Sequence, residues 1–121
     1  MLEQAPNTGP AYRQDRSSFA ITADDTDLCL IRLQGELDWS NVEELWACAE
    51  SAIAASTADI SLDLSDLTFI DSSGIAQFIR VVRRLGPERR LILDHPSRSI
   101  RRVIDVTGLG SIPGIALRPC D

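Results

Sequence analysis

The sequence predicts a small α/β domain: a mixed sheet of about five strands with helices packed on it, in the order β-β-α-β-α-β-α-β. Three observations carry this. Short apolar-rich runs alternate with stretches whose apolar residues recur at offsets of three and four, the mark of strands alternating with amphipathic helices. Only an acidic turn separates the first two strand-like runs, which makes them an antiparallel hairpin. Each later strand follows a helix, which makes the strands parallel neighbours joined by right-handed crossovers. With 121 residues, 44% of them hydrophobic, the chain reads as one domain with enough apolar side chains to close a core.

Residues 1–16 hold two prolines and a glycine without periodicity and read as a flexible N-terminal tail. The domain is expected over 17–118, with 119–121 as a C-terminal tail. Phe19 and Ile21 alternate with small and polar neighbours, and Asp24-Asp25-Thr26-Asp27 makes the turn. Leu28-Cys29-Leu30-Ile31-Arg32-Leu33 is the strongest strand pattern of the first half, and Gly35-Glu36-Leu37-Asp38 leads out of it. Ser40-Asn41-Val42-Glu43 matches a capping box, with Ser40 as N-cap and Glu43 reaching back. The helix that follows sets Val42, Leu45, Trp46, Ala49 and Ile53 on one stripe and stops near Ala55-Ser56-Thr57. A third strand is expected over 59–64.

The turn Leu67–Ser72 then leads into a helix from Ser73 to Leu85. Ile75, Phe78, Ile79 and Val82 face inward there, while Gln77, Arg80, Arg83 and Arg84 lie mainly elsewhere. Gly86-Pro87 ends this helix, glycine supplying a positive φ and proline forbidding continuation. Leu91-Ile92-Leu93 has the wholly apolar pattern of a buried strand. Pro96-Ser97-Arg98-Ser99 opens a third helix with Ile100, Val103, Ile104 and Thr107 inward, and Gly108 stops it. Ile115-Ala116-Leu117 adds a last strand.

Composition narrows the function classes. A net charge of −6 disfavours nucleic acid as the main partner. No run of 18 apolar residues spans a membrane, and the start of the chain lacks an apolar segment of signal-peptide length, so a cytoplasmic protein is expected. Cys29 in a strand pattern and Cys48 in a helix read as small core residues; with Cys120 they make an odd number without a C-x-x-C pair, against metal or disulfide use. Residues 1–79 hold 14 acidic residues against 3 arginines, and residues 80–121 hold 9 arginines against 4 acids. A solvated helical face accounts for most of the second cluster; an acidic partner is the other reading. Every basic residue is arginine, which speaks of a GC-rich coding sequence rather than of function.

The topology gathers chemistry at one place. Crossover helices leave from one edge of the sheet, where ligand and partner sites collect. The turns Gly35–Ser40 and Leu67–Ser72 meet on that edge if strands two and three are neighbours, and Asp38 and Asp71 then flank Ser73. The segment Asp71-Ser72-Ser73-Gly74 sits where a strand gives way to a helix whose first N–H groups lack partners. Asp71 or Ser72 caps those donors. A phosphate on Ser73 lies in the first turn, where free N–H groups and the helix dipole favour an anion. Taken alone, the tetrapeptide is also what an ordinary cap and turn look like.

In its wider setting the chain resembles a STAS domain of the anti-sigma factor antagonist (anti-anti-sigma factor) family. The resemblance rests on Leu33-Gln34-Gly35-Glu36-Leu37-Asp38, on Asp63-Leu64-Ser65 with Phe69-Ile70-Asp71-Ser72-Ser73-Gly74, and on Pro96-Ser97 through Ile104-Asp105-Val106-Thr107-Gly108-Leu109, over about 17–118. It implies a domain without catalysis or cofactor of its own. Such a domain binds an anti-sigma factor, a serine kinase with a GHKL-type ATP site, and so frees a sigma factor. It further implies that the kinase phosphorylates Ser73, that a PP2C-type phosphatase reverses this, and that Asp38, Asp71, Ser72, Gly74, Trp39 and Ser40 surround the phosphosite and the partner. Trp39 departs from the family pattern, in which a smaller residue is common; a buried or half-buried packing role is favoured over an exposed partner anchor.

Rival readings differ in class. A serine hydrolase would draw Ser73, His95 and Asp71 or Asp94 into a triad, but there is no G-x-S-x-G elbow and little room for a substrate pocket. A STAS module that is never phosphorylated would serve as a scaffold or as a small subunit of a lipid-transport ABC system. Nucleotide binding by the domain itself lacks both a Walker loop and a G-x-G-x-x-G segment.

Overall fold

The computed structural model describes residues 19–24, 26–27 and 29–118; the expected tails 1–16 and 119–121, with Cys120, lie outside the described residues. In chain order the elements are β1 (Ala20–Ala23), β2 (Leu30–Leu37), α1 (Val42–Ala55), β3 (Ile60–Ile70), α2 (Ser72–Leu85), β4 (Leu91–Asp94), α3 (Arg98–Thr107), a short 3-10 turn (Leu109–Ser111) and β5 (Ile115–Arg118). The five strands lie in the sheet in their order along the chain. β1 runs antiparallel to β2, and every other neighbouring pair is parallel. The hairpin and the alternating β-α order are therefore as the sequence predicts.

One face of the sheet makes the core. Ile31, Leu33 and Leu37 of β2, Ile60, Leu62, Leu64 and Leu67 of β3, and Leu91 and Leu93 of β4 are buried with Leu45, Ala49 and Ile53 of α1 and Phe78, Val81 and Leu85 of α2. The stripe expected on α1 is the observed one, with Val42 and Trp46 at its half-buried margin. On α2 the buried line is displaced. Gly74, Gln77, Phe78, Val81 and Leu85 are buried, whereas Ile75, Ile79 and Val82 are only partly so. Gln77, expected away from the core, is 5% exposed because its amide Nε2 donates to the Val42 carbonyl of α1 at 2.8 Å. A polar side chain is buried there because it ties two helices together.

β3 departs furthest from expectation. It runs eleven residues, through the stretch expected to be a loop, and only Asp71 separates it from α2. Arg32 to Gln34 of β2 lies opposite Asp63 to Asp66, and Gly35 to Glu36 opposite Leu67 to Phe69, so β3 holds an extra residue at each of two bulges. After Ile60, Leu62 and Leu64 the two insertions bring Leu67 and Ile70 back to the core side, spaced by three instead of two.

β4 pairs with β3 only as far as Asp63 opposite Asp94. Beyond that point the edge of β3 is covered by the start of α3, where Ser97 Oγ donates to the Leu67 carbonyl at 2.8 Å and Ser99 Oγ to the Thr68 carbonyl at 3.5 Å. At the other end of α3, Gly108 adopts the left-handed conformation, φ 73°, that terminates the helix. Thr107, expected inward, is exposed and returns its hydroxyl to the Val103 carbonyl at 2.7 Å.

Candidate functional site

The site forms where β2 and β3 end side by side, Leu37 opposite Ile70. The Asp71 N–H donates to the Leu37 carbonyl at 3.2 Å, which closes the sheet before the chain turns into α2. The side chain of Asp71 is the N-cap of α2: Oδ1 accepts from the Ser73 N–H at 2.9 Å and the Gly74 N–H at 3.1 Å. Oδ2 accepts from the Trp39 N–H at 3.3 Å, across to the β2–α1 turn. Ser72 is the first residue of α2 and exposed, and Ser73 is half-buried. The expected free N–H groups at Ser73 and Gly74 are thus already taken, by the carboxylate of Asp71.

Gly74 is set by space. A Cβ there would lie 2.6 Å from Ile70 Cγ1 and 3.0 Å from Leu37 Cδ2, so the first turn of α2 rests directly on the ends of both strands. Ser73 stands one turn before Gln77, on the side of α2 that meets α1.

The β2–α1 turn is built differently from a capping box. The N-cap of α1 is Asn41 and makes no side-chain cap. Its side chain closes the turn instead, with Oδ1 accepting from the Asp38 N–H at 2.9 Å and Nδ2 donating to the Glu36 carbonyl at 2.8 Å. The Ser40 hydroxyl and N–H both donate to Asp38 Oδ1. Glu43 turns outward to Arg80, 3.8 Å away. Asp38 and Asp71 both belong to this edge, and Asp71 is the carboxylate that holds the Ser73 backbone.

Trp39 is 73% exposed, which overturns the expected packing role. It projects from a turn whose backbone is tied down on both sides. Phe69, 47% exposed, lies on β3 opposite Glu36, two residues before Asp71. The sequence reading quotes Phe69 in the family motif but gives it no role at the site; its place between the core residues Leu67 and Ile70 is the signal that it faces away from the core. Trp46, half-buried, carries the Arg80 guanidinium 3.7 Å above its ring centre.

His95 does not join the site. Its Nδ1 lies 3.0 Å from Asp94 Oδ1, it makes no hydrogen bond with Ser73, and its φ is 50°. Asp94 is gripped by Arg118, with Nε 3.0 Å from Oδ1 and Nη2 2.7 Å from Oδ2. That hydrogen-bonded guanidinium holds the Asp94 carboxyl below the usual carboxylate range, against the opposing effect of burial. Two cavities lie away from Ser73, one of about 540 Å³ lined by Thr57, Leu85, Pro87, Glu88 and Arg89 and one of about 100 Å³ lined by Ala23, Cys48, Ser51 and Ala52. Among the described residues no cluster of His, Cys, Asp and Glu is placed to hold a metal ion, and no helix is long and apolar enough to cross a membrane.

Residues 21–118 match the family model described as "Mlab, STAS domain". The chain is 40% identical over 83 residues to the anti-sigma F factor antagonist of Lysinibacillus sphaericus, covering 67% of this chain and 71% of that protein. Its fold superimposes on an anti-sigma factor antagonist from Mycobacterium paratuberculosis with a TM-score of 0.68 and 26% identity, over 86% of this chain and 88% of the other. The Bacillus cell fate determinant SpoIIAA, in its phosphorylated form, aligns with a TM-score of 0.55 and 30% identity, over 83% and 90% of the two chains. A match over residues 21–118, and relatives that share both fold and sequence, place the chain in the STAS domain family, with anti-sigma factor antagonists as its relatives.

Proposed function

We propose that this protein is an anti-sigma factor antagonist that works by binding, without catalysis of its own, and that phosphorylation of Ser73 switches it off. The observation that carries this is the turn at the end of β3. A serine stands there in the first turn of a helix, beside an exposed tryptophan, on the edge where both acidic turns meet. The relatives support the antagonist role, and SpoIIAA is described in a phosphorylated form. The partner is an anti-sigma factor with a GHKL-type kinase site, met in the cytoplasm. Ser73 Oγ forms the new O–P bond to the γ-phosphorus of ATP held by that kinase. ADP leaves and the hydroxyl proton passes to a base of the kinase. A PP2C-type phosphatase restores the hydroxyl.

The physics of the switch follows from charge. A phosphate adds about −1.5 to −2 charges at pH 7. On the free surface, attraction to the helix end, roughly 0.3–1 kcal/mol, is opposed by Asp71 on the same donors. Across an interface nothing compensates, and burying an unpaired dianion costs several kcal/mol. Loss of the contact surface, with the sheet unchanged, is therefore the expected effect. The test is intact-protein mass spectrometry after incubation with ATP and the GHKL-type anti-sigma kinases of the same genome. One added phosphate on the parent and none on Ser73→Ala supports the switch. Stable complexes without any phosphate overturn it in favour of the second reading, a STAS module that is never phosphorylated. A transporter ATPase recovered with the protein would establish that alternative.

A further inference from the structure

The carboxylate of Asp71 faces two ways, and this gives the site a property beyond charge blocking. Oδ1 holds the Ser73 and Gly74 N–H groups at 2.9 and 3.1 Å, and Oδ2 holds the Trp39 N–H at 3.3 Å. One side chain therefore bridges the turn that carries the proposed phosphoacceptor and the turn that carries the exposed indole. We propose that Asp71 is a relay: charge placed on Ser73 dislodges the carboxylate and releases the Trp39 backbone, so that the indole leaves the position in which a partner would meet it. This rests on the reading of Ser73 as the phosphoacceptor and adds how the modification reaches the partner surface.

The argument is one of competition. A phosphate on Ser73 lies in the first turn of α2, where its oxygens seek the backbone donors that Asp71 Oδ1 occupies. A dianion outbids a single carboxylate for the positive end of a helix, and the two repel each other at this range. Among the described residues the Asp71 side chain is held by these three N–H groups, so once Oδ1 yields, Oδ2 moves with it. The release is confined by other ties. Asn41 Nδ2 holds the Glu36 carbonyl at 2.8 Å, the Asn41 and Val42 N–H groups hold the Asp38 carbonyl, and Gln77 Nε2 holds the Val42 carbonyl at 2.8 Å. In this turn the Trp39 N–H goes to Asp71, whereas the Asp38 N–H goes to Asn41 Oδ1 and the Ser40 N–H to Asp38 Oδ1. The start of α1 stays in place while the tip of the turn is freed.

The experiment installs phosphoserine at position 73 during translation, so that no kinase is needed, and follows amide hydrogen exchange by NMR in the full chain. Trp39 N–H is expected to exchange about fivefold faster or more in the phosphorylated protein, the scale set by loss of one hydrogen bond. Val42 N–H is expected to be unchanged. Asp71→Asn provides the second measurement: its carbonyl oxygen still caps Ser73 and Gly74, but its amide nitrogen does not accept from Trp39. That variant is expected to show the fast Trp39 exchange without phosphate and no further increase with it. Unaltered Trp39 exchange in the phosphorylated protein overturns the relay, as does uniform acceleration through Val42. Binding of the anti-sigma kinase to the same samples judges the switch separately. Lost binding with an unmoved Trp39 removes the relay and keeps the switch, whereas retained binding removes the switch.

Discussion

At the scale of single residues the site is built from two opposite devices, one that fills all available space and one that leaves a large side chain in solvent. Gly74 is the first. Gly74→Ala drives a methyl group to 2.6 Å from Ile70 Cγ1 and 3.0 Å from Leu37 Cδ2, both against the ends of strands. Overpacking of this kind costs about 1–3 kcal/mol. A urea melt of Gly74→Ala is expected to show that loss; an unchanged midpoint would mean that the helix start shifts freely. Trp39 is the second. At 73% exposure its indole contributes little to the fold, so Trp39→Ala should leave stability within about 0.5 kcal/mol. If the indole anchors the partner, the same change weakens binding by about 2 kcal/mol or more, roughly 30-fold, in a titration with the anti-sigma kinase. A drop in stability with unchanged affinity would remove Trp39 from the interface.

At the scale of elements, the sequence displays what is periodic and hides what is irregular. The hairpin, the stripe of α1, the αL stop of α3 and the junction at Asp71 were all legible, because each rests on local spacing or on one residue's conformational needs. β3 was cut short at 64 because alternation fails there: two bulges shift its inward residues to a spacing of three. Gln77 was misplaced because its polarity points outward unless the Val42 carbonyl is known to face it. Ser40 was assigned a cap that Asn41 makes unnecessary by closing the turn itself. Asp38, Trp39, Asp71 and Ser73 share one sheet edge; the division of labour between Asp38 and Asp71 depends on rotamers, which spacing does not reveal. A further long-range tie shows the same limit. α1 has no basic residue in its last turn, and Arg89, from beyond α2, serves its C-terminal end through Nε to the Ala58 carbonyl at 2.8 Å and Nη1 to the Ile53 carbonyl at 3.1 Å. Arg89→Ala is expected to cost about 1–2 kcal/mol in chemical denaturation, and Arg89→Lys, lacking the planar fork, to recover only part of it.

At the scale of the whole molecule, the uneven charge of the two halves is folded back on itself. Arg80 meets Glu43 at 3.8 Å, Arg84 meets Glu50 at 3.4 Å, and Arg90 meets Asp59 at 3.6 Å, each pairing a second-half arginine with a first-half acid. These pairs are exposed and individually worth little. Asp94 with Arg118 is different, since the carboxylate is buried and doubly bonded between β4 and β5. Its carboxyl titrates below its ordinary range when folded and near 3.9 when unfolded, so it binds its proton more readily in the unfolded chain. The stability it supplies is therefore complete above about pH 4 and is lost as pH falls through the folded value. Asp24, held at about 2 by the Thr26 hydroxyl and then by Arg32, adds its own loss over the same range and does so with or without Arg118. Thermal unfolding of Arg118→Ala between about pH 5 and 2 is thus expected to show a flatter acid limb than the parent; identical slopes would remove the pair from the acid response. The strand order carries a last consequence, for how the molecule comes into being. Because the strands stand in the sheet in the sequence in which they are translated, each strand after β1 emerges from the ribosome to find a neighbour already present. By Asp94 four of the five described strands stand as an ordered row, and Arg118 of β5 then joins a carboxylate already set on β4.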